Sequence, residues 1–249
     1  MLEQTKQQLA SLKLNGFLAA LEEQCAHPPH QLSFEERLSL LVDRELVQRD
    51  NQRLKNRLKQ AKLKPNCSME QIDYQTTRTL KKTQILALGN LAWVKLSRSV
   101  LITGPTGIGK TFIAQSLAHK ACLNGYSARY YRLLHLMHDL TVAYHEGNLT
   151  RFLASINKAD VLVIDDFGML VMDAEQKRLL LELLEQRYEQ RATIITSQLA
   201  IEDWYEYIND PLIADAILDR IIHHAEKIVI DGESLRKNKP IAESQQSCG

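Results

Sequence analysis

The residues with the clearest chemical potential are Gly104-Pro105-Thr106-Gly107-Ile108-Gly109-Lys110-Thr111, entered from an apolar stretch at 99–103 and followed by a helical pattern. They fit G-x-x-x-x-G-K-[ST], a loop that cradles nucleotide phosphates. Glycines let the backbone wrap around phosphate oxygens, and the loop amides and the following helix N-terminus point positive charge at them. Lys110 is expected to reach the β- and γ-phosphates, and Thr111 to place its hydroxyl on Mg²⁺. A second group, Val161-Leu-Val-Ile-Asp165-Asp166, is an apolar strand ending in two acids. Ligands of open α/β sheets sit at the carboxyl ends of strands, so Asp165 is expected to meet Thr111 across the metal. Asp166 is then the residue that orients or activates an attacking water, or a turn acid that supports Asp165. The segment Ala192-Thr-Ile-Ile-Thr196 runs into Ser197 and Gln198, which places short polar side chains beside the γ-phosphate. Arg220 suits an arginine finger offered to a neighbouring subunit, or a surface ion pair with Asp215 or Asp219. Arg236 could reach the nucleotide from the C-terminal side.

Positioning these groups requires strands that stop where the polar residues begin. After the loop, a helix runs to about Leu123 and stops at Asn124-Gly125, and a strand follows at Ala128 to Arg132. Helices are predicted at 134–144, 149–157, 174–191, 201–207 and 213–222, and strands at 161–164, 192–196 and 227–230. Alternating helices and apolar strands predict an α/β fold, a parallel sheet covered by helices on both faces. Residues 1 to about 64 read as helix with a break at Cys25-Ala-His-Pro-Pro-His30, and Ser33 with Glu36 forms a capping-box pattern opening a helix from Phe34 to Lys62. Another helix is expected around Thr79 to Trp93. The domain reading is a basic helical domain at 1–68 for DNA or a partner, an ATPase core with its entry linker at 69–236, and a polar tail at 237–249.

At 249 residues with a formal net charge of +1, the whole chain is not charged like a nucleic-acid binder. The distribution differs. Arg44, Arg49, Arg53, Lys55, Arg57, Lys59, Lys62 and Lys64 face only Glu45 and Asp50 between residues 44 and 64. Such a face is expected to contact phosphates rather than read bases, through Arg49, Arg53, Lys55, Arg57, Lys59 and Lys62. Cys25, Cys67, Cys122 and Cys248 form no C-x-x-C pair, which argues against structural zinc or a disulfide framework. The sequence Met1-Leu-Glu-Gln-Thr-Lys has no apolar signal core and no run spans a bilayer, so a cytoplasmic protein without a membrane partner is expected.

These motifs in order resemble the AAA+ group that contains the IstB-like transposition helper ATPases and the DnaC-type helicase loaders. The resemblance to the IstB-like branch covers nearly the whole chain. It includes the basic stretch 49–62, the loop 104–111, Ile164-Asp-Asp-Phe-Gly168, Ile195-Thr-Ser-Gln-Leu199, Leu218-Asp-Arg-Ile221 and Gly232-Glu-Ser-Leu-Arg-Lys237. It implies a P-loop NTPase core of the AAA+ type with ATP and Mg²⁺ as cofactors, Lys110, Asp166 and Arg220 in catalysis, homo-oligomers assembled on double-stranded DNA, and a transposase partner encoded by the same element. A helicase loader that binds a replicative helicase is the alternative. A small-molecule kinase on the same loop, or an adaptor that binds ATP without hydrolysing it, also fits the loop alone.

Overall fold

A computed structural model describes residues 2–29, 31–65, 67–74 and 79–235. By compactness the chain divides into two units, Met1–Lys59 and Gln60–Gly249.

The first unit is built from α1 (Leu2–Ser11), α2 (Asn15–Ala26) and most of α3 (Phe34–Ala61). The sequence pattern reads as one helix up to Cys25, but Lys13 adopts φ 57 and splits it. The reason lies at Gly16, where a Cβ would meet the Glu45 Cα at 2.8 Å. Helix α2 can approach α3 that closely only if its first turn presents glycine, so the chain must turn just before it. Glu45 then caps α2: one carboxylate oxygen accepts the Gly16 and Phe17 amides at 2.7 and 3.0 Å, and the other accepts from Arg49 Nε at 2.6 Å. The capping box forms at α3, with the Glu36 carboxylate on the Ser33 amide at 2.7 Å and the Ser33 hydroxyl on the Glu36 amide at 3.2 Å.

The second unit is a parallel five-stranded sheet in the order β2-β3-β4-β1-β5. Its strands are β1 (Val100–Thr103), β2 (Ala128–Arg132), β3 (Val161–Phe167), β4 (Ala192–Ser197) and β5 (Glu226–Val229). Every residue of β1 and β4, and Val161–Asp165 of β3, is buried, as expected for a parallel sheet with helices on both faces. The helices are α4 (Lys82–Leu88), α5 (Ala92–Lys95), α6 (Lys110–Leu123), α7 (Leu133–His145), α8 (Leu149–Asn157), α9 (Ala174–Arg187), α10 (Trp204–Ile208) and α11 (Pro211–Ile222).

Two expected helices are shorter than their patterns. The helix predicted at 79–93 is two pieces, because Leu91 adopts φ 61 and Asn90 Oδ1 takes the Ala92 amide at 2.8 Å. Helix α9 stops at Arg187 rather than 191. The buried Arg187 guanidinium is held by the carbonyls of Ala159 and Ala192 at 3.2 and 2.6 Å and by Thr193 Oγ1 at 3.2 Å, which ties the helix end to the start of β4. Burial pushes the Arg187 guanidinium down to about 9. Among the described residues no helix is long and apolar enough to cross a membrane.

Candidate nucleotide site

The loop 104–111 joins β1 to α6, as its spacing predicts. Gly104, Gly107 and Gly109 have φ of 143, 81 and 95°, a region that residues with a Cβ rarely adopt. Crowding adds a second reason at two of them. A Cβ on Gly104 would stand 1.9 Å from the Ile230 carbonyl, and one on Gly107 would stand 2.1 Å from Ser234 Oγ. The C-terminal segment 230–235 therefore packs directly on the loop, with the Ile230 amide donating to Thr103 O at 2.9 Å and the Leu235 amide to Gly107 O at 3.0 Å. Pro105 and Thr106 form the exposed rim, while the Ile108 side chain is buried and anchors the loop to the core. Lys110 donates to the carbonyls of Gly104 and Pro105 at 2.7 and 2.8 Å, so its ammonium lies inside the loop's curve.

Asp165 and Thr111 meet. The Thr111 hydroxyl lies 2.9 and 3.0 Å from the two Asp165 oxygens. Two further hydroxyls bond the same buried carboxylate: Tyr130 donates to Oδ2 at 2.6 Å, and Thr196 donates to Oδ1. Burial, then the bond to Asp165, pushes the Tyr130 phenol well above its ordinary range, so it stays a donor. A hydroxyl and a carboxylate beside a phosphate loop are the hard oxygen donors that Mg²⁺ takes together with nucleotide phosphates. The donor set therefore fits that ion.

Asp166 is set by a bulge. The β3–β4 register steps from Ile164↔Ile195 to Phe167↔Ser197, which leaves one extra residue on β3. Asp166 adopts φ 63, and the Thr196 hydroxyl accepts its amide at 3.1 Å. In a regular strand the two adjacent acids would point to opposite faces. Here the bulge brings the Asp166 carboxylate 3.5 Å from Arg132 Nε, on the strand that pairs with β3.

Other expected residues stand differently. Ser197 was expected to face a phosphate, but its buried hydroxyl donates to Phe167 O at 2.7 Å and accepts the Leu199 amide at 3.1 Å. Thr196 rather than Ser197 is the β4 residue that touches the acids. Gln198 is exposed, with Nε2 3.2 Å from Met169 Sδ. Arg220 makes no bond to Asp215 or Asp219. It pairs with Glu185 at 2.5 Å and donates to Ala216 O at 2.8 Å. It lines a cavity with Ser99 and Thr193, at the amino ends of β1 and β4, the opposite end of the sheet from its own phosphate loop. Arg236 lies outside the described residues. On α3, Arg49, Arg53, Lys55, Arg57 and Lys59 spread over an arc of roughly 200° at 100° per residue. Arg49 and Arg53 pair with Glu45 and Asp50. Lys62 falls beyond the helix end, its Nζ 5.7 Å from the Tyr131 ring centre.

Sequence reasoning did not single out Tyr130 and Arg132. Their alternation in Ala128-Arg-Tyr-Tyr-Arg132 marks one strand face, but only the strand order puts that face beside Asp165.

A parallel sheet of this order, with the phosphate loop after β1 and the paired acids near the carboxyl end of β3, is that of a P-loop NTPase of the AAA+ type. Solved structures agree at the level of fold: the DnaC helicase loader aligns with a TM-score of 0.51 at 21% identity, covering 59% of this chain and 86% of that one. DnaI aligns at 0.56 and 20% identity over 66% and 90%. Within that class, the model of the IstB-like ATP binding protein family matches residues 7–242, and the chain belongs to that family. Relatives include the IS1162 insertion-sequence ATP-binding protein of Pseudomonas fluorescens, 44% identical over 80% of this chain and 87% of that protein. The insertion-sequence ATP-binding protein y4pL of Sinorhizobium fredii is 37% identical over 94% and 96%.

Proposed function

We propose that this protein is an ATP-hydrolysing helper of insertion-sequence transposition, which assembles with ATP on double-stranded DNA, regulates the transposase of its element and leaves the DNA on hydrolysis. The observation that carries the reading is the Thr111–Asp165 contact at the phosphate loop, with Asp166 on the adjoining bulge. Lys110 and the loop amides hold the β- and γ-phosphates. Thr111 and Asp165 would hold Mg²⁺, which when bound neutralises phosphate charge. A water oriented by Asp166 forms the new bond to the γ-phosphorus as the bond to the β–γ bridging oxygen breaks, giving ADP and phosphate. Arg220, at the far end of its own sheet, acts on the nucleotide of a neighbouring copy. Oligomerisation is therefore part of the active state.

The cations of α3 and Lys62 contact DNA phosphates, so binding is expected to be steeply salt-dependent and weakly sequence-dependent. Membership of a family whose relatives carry insertion-sequence names supports a transposase as partner. The test is size-exclusion light scattering with duplex and single-stranded DNA in ATP, ADP or no nucleotide, for wild type and Lys110→Ala. Large ATP-dependent assemblies on duplex DNA, lost in Lys110→Ala, are expected. A monomer indifferent to duplex DNA refutes the reading, and a stable complex with a hexameric helicase instead would identify a loader.

A further inference from the structure

We infer that Tyr130 is a positioning residue for the metal site: its phenol hydroxyl holds Asp165 in the orientation that serves a divalent cation beside the nucleotide. The inference rests on the nucleotide and metal reading above, and it concerns a residue on a strand that carries neither the loop nor the acids. Parallel pairing sets Tyr130 opposite Val163 and Arg132 opposite Asp165, so the side chains at 130 and 132 share the face on which Asp165 lies. The Arg132 guanidinium lies beside the phenol, whose O–H donates to Asp165 Oδ2 at 2.6 Å.

The other contacts cannot do the same work. Thr111 lies nearly equidistant from both carboxylate oxygens, at 2.9 and 3.0 Å, so its bond survives a pivot of the carboxylate about its terminal torsion. That torsion is broad and roughly two-fold, and therefore easily turned. Thr196 fixes Oδ1 and Tyr130 fixes Oδ2, so the two together define the plane. Without the phenol, Oδ2 keeps only Thr111 among the described partners, and Thr111 is the hydroxyl that the cation also needs. Groups that orient a metal-binding side chain without touching the metal typically change affinity about 10–100-fold when removed.

The experiment measures Mn²⁺ binding, by the electron paramagnetic resonance signal of free Mn²⁺, to the full-length protein with a non-hydrolysable ATP analogue, for wild type, Tyr130→Phe, Asp165→Asn and the double variant. Tyr130→Phe keeps the ring and removes only the hydroxyl. About tenfold weaker Mn²⁺ binding is expected, with analogue affinity in chelator equal to wild type, which also shows that the variant is folded. In the Asp165→Asn background the same change is expected to have no further effect, because its route runs through the carboxylate. ATP hydrolysis by Tyr130→Phe is expected to recover at saturating Mg²⁺. Mn²⁺ affinity within twofold of wild type, or an undiminished tenfold loss in the Asp165→Asn background, overturns the inference while leaving the site reading intact. Wild type that binds the analogue with no help from Mn²⁺ overturns both.

Discussion

Thr196→Val removes one hydroxyl from the place where the two acids are tied together, and keeps the shape of the side chain. In the structure that hydroxyl donates to the fully buried Asp165 and accepts the Asp166 amide at 3.1 Å. Losing a hydrogen bond to a charged group costs about 1.5–3 kcal/mol, and a buried amide left without a partner costs about 1–3 kcal/mol. The two losses fall on adjacent groups and overlap, so a net destabilisation of about 3–4 kcal/mol is expected, against a typical total of about 5–15 kcal/mol. The two tryptophans make the assay specific. Trp93 and Trp204 are 2% and 0% exposed and both lie in the larger unit, so urea unfolding followed by their fluorescence reports that unit alone. The midpoint is expected to fall with little change of slope. A loss below about 1 kcal/mol would refute the reasoning, because it would mean that the carboxylate and the amide are satisfied without Thr196.

Arg220→Ala is expected to abolish hydrolysis while sparing nucleotide binding, read by phosphate release and a fluorescent nucleotide; normal turnover would remove the trans role. Gly107→Ala places a methyl against Ser234 in a backbone conformation alanine resists, and is expected to weaken nucleotide binding at least tenfold, a loss of about 1.4 kcal/mol or more in a binding titration. Arg57→Ala and Lys59→Ala are each expected to lower the slope of log affinity against log salt on duplex DNA by about 0.9, which filter binding between low and moderate salt would measure. In the first unit, Arg49 first, then the Phe17 and Gly16 amides, hold the Glu45 carboxyl below its ordinary value. A depressed carboxyl stabilises the fold above its unfolded value and loses that contribution as pH falls through the folded one. Glu45→Gln is therefore expected to lower thermal stability at pH 7, with the gap to wild type closing below about pH 4.

Much of the site was legible in the sequence because its parts are local. The phosphate loop needs glycines at fixed offsets and a Lys-Thr pair on the first turn of a helix, and all of that lies within eight consecutive residues. An apolar strand that runs into acids likewise marks where β3 reaches the site. The breaks at Lys13 and Leu91 were harder to read, since the first is set by a tertiary crossing at Gly16 and the second by the Asn90 side chain, and periodicity registers neither.

The sequence by itself determined the nucleotide chemistry and the alternating α/β order, because backbone conformation and side-chain spacing are short-range properties. Only the tertiary structure decided that β2 lies beside β3, that Tyr130 and Arg132 reach the acids, that a bulge turns Asp166 toward them, and that residues 230–235 close over the loop. These depend on strand order and register, which join residues about 35 to 130 positions apart, and no local preference encodes such pairings.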